Sequence, residues 1–169
     1  MSKRSSFAAS GGRSLLLGLL LAASIAHGQA VPTLCRFTSS PGVAFGIYQD
    51  GSPVPKDTTA NMTIDCARNS GPQNLTLTVA IGPSATSGSI SSRSMREGGG
   101  STITYNLYRD SSRSLIWGQT PGVDTVTQPL SIPNNSSASS TFTIFGRIGA
   151  LQNGTVGTYA DSVVATVMY

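Results

Sequence analysis

Beyond its amino-terminal segment the chain has no histidine, since the single one it contains is His27. A domain without histidine lacks the usual general base at neutral pH and the commonest metal ligand. No pair of carboxylates, and no Ser or Cys beside a base, forms a nameable catalytic set either. Most hydrolase and metalloenzyme readings are excluded on that ground, and no cofactor, metal or catalytic residue is expected. Charge is scarce, at 11% of residues. Three of the 11 Lys and Arg are Lys3, Arg4 and Arg13, which leaves eight basic against seven acidic residues and a net charge near +1. No block of like charge remains to hold nucleic acid. Long apolar runs are missing too. The longest, Leu15 to Ile25, falls short of the roughly 20 residues a membrane-spanning helix needs.

What is present begins with an address. Lys3, Arg4 and Arg13 form a positive region, Leu15 to Ile25 an apolar one, and small residues follow. Ala26-His27-Gly28 and Gly28-Gln29-Ala30 both offer cleavage sites, so residues 1–28 (or 1–30) read as a signal peptide. The remainder, 29–169, is long enough for one domain with a real core. It holds two cysteines, Cys35 and Cys66, which in an exported chain read as a disulfide. The expected route is export through the inner membrane, then periplasm and cell surface or secretion, with no membrane span after processing.

The mature composition is rich in Ser, Thr and Gly and offers repeated period-two alternation, the mark of strands with one buried face. Met62, Ile64 and Cys66 alternate with Asn61, Thr63 and Asp65. Leu75, Leu77, Val79 and Ile81 alternate with Thr76, Thr78 and Ala80, and Ile103, Tyr105 and Leu107 with Thr104 and Asn106. Phe142, Ile144 and Ile148 alternate with Thr143 and Arg147. Earlier, Val43, Phe45 and Ile47 share one face, with Gly46 a bulge or close-approach site. Turn-formers punctuate these runs, and Ser136 to Ser140 reads as a loop. The pattern predicts an all-β, antiparallel sandwich.

From Tyr159 to Tyr169 both faces become apolar towards the end, as in a strand covered on both sides or one whose neighbour is missing. About six principal strands are legible, one fewer than the seven of the simplest immunoglobulin-type sandwich.

Six segments then carry a resemblance. Ala44-Phe45-Gly46-Ile47-Tyr48 follows a first cysteine, and Cys66 ends the second strand. Tyr105-Asn106-Leu107-Tyr108-Arg109-Asp110 is followed by Ile116-Trp117-Gly118. Phe145-Gly146-Arg147-Ile148 precedes Gly157 to Ser162 and the ending Thr166-Val167-Met168-Tyr169. From about Cys35 to Tyr169 the chain resembles the spore coat protein U domain family, whose members are similar to pilins of archaic chaperone–usher pili. The resemblance implies an immunoglobulin-like sandwich lacking its last strand. A periplasmic chaperone lends one, and at an outer-membrane usher the next subunit's extension replaces it. Val163, Ala165, Val167 and Tyr169 would line or border the open groove. Filling four or five side-chain pockets at roughly 1.5–3 kcal/mol each gives a gross term near 10 kcal/mol. Domains are stable by about 5–15 kcal/mol, so the partner strand would be part of the fold. One departure is expected: cleavage after Gly28 leaves Gln29 to Leu34 before Cys35, about 20 Å of chain at most. That is too short to donate a strand, which predicts a subunit at the distal end of a fibre.

Other signals carry less. Glu97-Gly98-Gly99-Gly100-Ser101 lacks the ending of a phosphate loop and reads as a flexible turn, with Arg93 and Arg96 beside it as solvated loop charge. Asp110 with Arg113 reads as a turn stabiliser. Trp117 with Tyr105 and Tyr108 is a candidate sugar-stacking platform, although core burial of such rings is commoner in sandwiches. The expected function is a structural or adhesive subunit of a bacterial chaperone–usher fibre. The alternative is a self-sufficient secreted sandwich that binds a glycan or matrix component.

Overall fold

The computed structural model describes residues 33–39 and 42–169; the expected signal peptide lies outside them. Eight strands form two antiparallel sheets. In chain order they are β1 (Leu34–Ser39), β2 (Lys56–Arg68), β3 (Gln73–Ser84), β4 (Arg93–Arg96), β5 (Thr102–Tyr108), β6 (Val126–Ile132), β7 (Ser136–Ile148) and β8 (Val163–Met168). One sheet runs β1-β2-β7-β5-β4 and the other β6-β3-β8. Among the described residues no helix is long and apolar enough to cross a membrane.

Alternation places the core. Met62, Ile64 and Cys66 on β2 and Phe142, Ile144 and Ile148 on β7 are buried. They face Leu77, Val79 and Ile81 on β3 and Leu130 and Ile132 on β6. The intervening Asn61, Thr63 and Asp65 meet Thr143, Thr141 and Ser139 across the β2–β7 ladder, where their side chains hydrogen-bond in pairs. Such polar pairing on one face and apolar packing on the other is what fixes register in a half-buried sheet. Trp117 sits at the centre with no exposed surface, its ring 6.3 Å from Phe142. Its indole N–H donates to the Val79 carbonyl at 2.9 Å, satisfying the one polar group that burial would orphan.

Three expectations are corrected here. Ser136 to Ser140 is the start of β7, paired with Arg68 to Ile64 of β2, and not a loop. The strand tolerates these hydroxyls because Ser136, Ser137 and Ser139 are exposed, while the buried Ser140 donates to the Gln128 side chain at 2.6 Å. The count of about six strands is low. β1 is too short to alternate visibly, β4 has four residues with Arg at both ends, and β6 carries Pro129. That proline is tolerated because β6 is an edge strand whose N–H groups need no further partner. Lastly, the run through Val43, Phe45 and Ile47 is in no strand. Gly46 takes φ +70°, so Phe45 stays buried while Ile47 is thrown out to 86% exposure.

Candidate functional site

The three-stranded sheet ends on β8, and the site grows from that edge. β8 pairs with β3, Val79 opposite Val167 and Ile81 opposite Ala165, and among the described residues no strand pairs with its other side. Ile81 sends its N–H to Gly118, away from β8. Antiparallel alternation therefore turns Ala80 and Thr78 towards β8, opposite Thr166 and Met168. The N–H and C=O groups of Ala165 and Val167 are then directed at the free edge. Their side chains, with that of Val163, point into the sandwich yet are only half-buried against the core. Tyr169 is 53% exposed, and its hydroxyl accepts the N–H of Cys35 at 3.4 Å. The four residues expected at a groove thus lie along one side of β8, with Tyr169 at its end beside β1.

A second stretch of backbone outside any strand precedes β2, its Ala44 carbonyl accepting the Thr58 hydroxyl at 2.8 Å. Residues 43–48 are held by their side chains. Phe45 packs edge-on to Tyr105 at 5.7 Å, and Val43 and Phe45 fit against Gly146, where a Cβ would come within 3.0 Å of them. Among the described residues no backbone group of this segment bonds to another backbone group. Its far end is stitched to the loop after β7. The Tyr48 hydroxyl donates to the Gly149 carbonyl and accepts from the Gln152 N–H, Gly51 donates to Gln152, and Leu151 donates to Ser52. Between this segment and residues 154–159 lies a cleft of about 640 Å³ floored by Met95, Ile103 and Ile148. Sequence reasoning missed this wall and floor. The period-two pattern at Val43 and Phe45 was visible, but it spoke of a paired strand, and the floor residues come from three separate strands.

Covalent and charged groups brace the cleft. Cys35 and Cys66 face each other directly in the β1–β2 ladder and form the expected disulfide. At the root of β8, Asp161 accepts the Tyr105 hydroxyl at 2.7 Å and the Thr86 N–H at 3.0 Å. Burial favours the neutral acid, but the bonds from Tyr105, Ser84 and Thr86 outweigh it and hold the Asp161 pKa below its ordinary value. Burial and this same bond push the Tyr105 phenol well above its usual range.

The remaining candidates separate. Trp117 is wholly buried and Tyr105 nearly so, with Tyr108 half-buried, so the three rings do not form an exposed platform. Glu97 closes its turn as expected, its carboxylate accepting the N–H groups of Gly99 and Ser101. Asp110 likewise caps the N–H groups of Ser114 and Leu115, and the Arg113 side chain donates to the Ser111 carbonyl of that turn at 3.1 Å while also meeting Asp57 at 3.3 Å. Arg93, expected as solvated loop charge, is completely buried. Its strand crosses the core-facing edge of the five-stranded sheet, which a charged residue in a Ser-rich stretch gives no reason to expect.

The sequence profile described as the Spore Coat Protein U domain matches residues 21–166. No curated protein matches the chain in sequence. Among solved structures, the chain is similar to one in the CsuC–CsuE chaperone–tip adhesion subunit pre-assembly complex from archaic chaperone–usher Csu pili of Acinetobacter baumannii. That match has 19% identity and a TM-score of 0.52, covering 82% of this chain and 40% of the other. A chaperone–tip adhesin complex of CFA/I fimbriae biogenesis matches at 10% identity and a TM-score of 0.39, over 80% of this chain and 41% of that one. The chain therefore spans well under half of either structural relative.

Proposed function

The chain belongs to the Spore Coat Protein U domain family, and from that premise we propose that it is a structural or adhesive subunit of a bacterial chaperone–usher surface fibre. Its sandwich is incomplete, and a partner supplies the missing strand between β8 and residues 43–48. The observation that carries this reading is the unpaired backbone edge of β8, whose inward side chains Val163, Ala165 and Val167 are left only half-buried against the core. An unpaired edge over an uncovered core is a template for strand addition, with main-chain bonds giving affinity and alternate side-chain pockets giving selectivity. On this reading Val163, Ala165 and Val167 form one side of the acceptor groove with Tyr169 at its end, next to but outside the lining of the cleft beside residues 43–48. The likeness in fold to a subunit captured with its chaperone supports the same reading.

Residues 1–28 serve as the export signal, and the domain at 29–169 folds in the periplasm with a pilus chaperone before an usher adds it to other subunits at the surface. The role is structural and not catalytic. Between a cut after Gly28 and the start of β1 at Leu34 there are five residues, too few to fill a cleft the length of β8. The subunit therefore accepts a strand without donating one and stands at the distal end. Recovery from the interior of isolated fibres refutes that placement.

The test is light scattering after size-exclusion chromatography of the domain exported to the periplasm, alone and with a pilus-type chaperone from the same genome. The expected result is a stable one-to-one complex, with aggregation or degradation when the domain is alone. A well-behaved monomer that ignores the chaperone overturns the proposal.

A further inference from the structure

Arg93 is a guanidinium with no exposed surface and no carboxylate bonded to it. Its Nη2 donates to the carbonyls of Ile81 (3.0 Å), Gly82 (2.8 Å) and Trp117 (2.9 Å). Its Nε donates to Gly82 (3.2 Å) and its Nη1 to Asn106 Oδ1 (2.6 Å). Burying a charge is costly even when its donors are all used, and an apolar residue of similar volume serves a core at least as well. A group of this kind calls for a geometric reason.

The acceptors supply one. Ile81 and Gly82 stand where the register of β3 against β8 shifts, between Ile81 and Ser84. A Cβ on Gly82 would lie 3.3 Å from the Val164 carbonyl, so β8 is drawn tightly onto this bulge. Arg93 thus reaches from β4, in one sheet, to the point in the other sheet against which β8 rests. Its register partner Tyr105 faces the same way and bonds Asp161, two residues before β8 begins. Ala160, just ahead, exchanges two backbone bonds with Arg96 of β4, at 2.9 and 3.1 Å, and the Ser162 carbonyl accepts the Ala85 N–H. Residues 160–163 are therefore where the chain leaves the rim of the first sheet and joins the second.

We propose that Arg93, bearing on the β3 bulge, and the Tyr105–Asp161 bond together form a pivot that sets the position of β8 against β3. That makes Arg93 a positioning residue for strand uptake, which it never touches. The consequence for uptake rests on reading the cleft as a strand acceptor; the setting of β8 does not. A lysine at 93 keeps the charge but cannot span carbonyls on β3, Trp117 and Asn106 at once.

The experiment is amide hydrogen exchange by mass spectrometry on the exported chain, in whichever state chromatography returns it, free or chaperone-bound. Arg93→Lys is compared with Ile132→Val, a core-thinning control. Exchange in the peptide 162–169 should quicken about tenfold in Arg93→Lys while 136–148 stays within about twofold, the mark of local and not global opening. Unchanged exchange at 162–169, or a uniform rise such as the control gives, overturns the pivot. Should Arg93→Lys fail to accumulate, Tyr105→Phe removes only the hydroxyl and should quicken the same peptide about threefold; no change there overturns it equally. If the wild-type chain binds no chaperone while 162–169 still loosens, the acceptor reading fails and the pivot stands.

Discussion

Single side chains carry much of the stability, and they do so at positions where removal leaves either a void or an unpaired polar group. Trp117 fills the centre and satisfies the Val79 carbonyl. Trp117→Ala should cost about 3–5 kcal/mol. The check is urea unfolding followed by circular dichroism, because the substitution removes the chain's one tryptophan. The disulfide closes a loop of sequence separation 31. Replacing Cys35 and Cys66 together by Ser should lower stability by about 3–4 kcal/mol on the chain-entropy account, read from the same curves. The acid side is set by carboxylates. Bonds from Arg147 hold Asp57 below its ordinary value against the opposing effect of burial, aided by the charges of Arg147 and Arg113. Asp161 is depressed too. A lowered folded-state pKa contributes stability that is fully present above the unfolded value and is lost as pH falls through the folded one. With no histidine among residues 33–169, thermal midpoints should be nearly level from about pH 8 to 5 and fall below about pH 4. Asp57→Asn and Asp161→Asn should each flatten that acid limb in a calorimetric pH series, and an unchanged limb would reassign the effect to other carboxylates.

Strands show where the sequence speaks clearly and where it does not. β2, β3, β5 and β7 were legible because each lays three or more large apolar residues on one face, and that pattern is the core itself. β4 and β6 were not, since a four-residue strand with two arginines and a strand with proline imitate loops; both lie at sheet edges, where pairing demands are halved. The inward side of β8 was legible through Val163, Ala165 and Val167. The placement of residues 43–48 was not, because it is set by Phe45 against Tyr105 and by the turn at Gly46, contacts distant in sequence. Val163→Asp with Val167→Asp puts two carboxylates on the inner face of β8. The expected outcome is at least about a tenfold loss of chaperone complex in periplasmic pull-downs, since each exchanges a favourable burial for a desolvated charge. Val164→Asp, on the outer face and 73% exposed, should leave the yield unchanged. Equal losses from both would place the contact elsewhere.

At the scale of the molecule, the all-β antiparallel class followed from alternation alone, and the disulfide from two cysteines behind a segment that reads as an export signal. The arrangement of eight strands into five and three was not accessible that way, because which strands share a sheet depends on crossings such as residues 160–163 that leave no periodic trace. The strand that precedes residues 43–48 and the strand β8 also differ in how they are fastened. β1 is joined to β2 by a covalent bond, while β8 is tied to β3 by hydrogen bonds and braced at its root.

That asymmetry has a mechanical meaning. A strand lying in the cleft and pulled along its own axis would load its bonds to both flanks in shear, all together and not one after another. On the β8 side the tension would pass into the ladder with β3. On the other it would run back along the segment from Tyr48 to Cys35 and through the sulfur bridge into β2, the longest ladder of the domain. The disulfide would then act as a bolt in the load path, and a reduced subunit would be expected to give way at a lower pulling force at β1, before the joint itself slips.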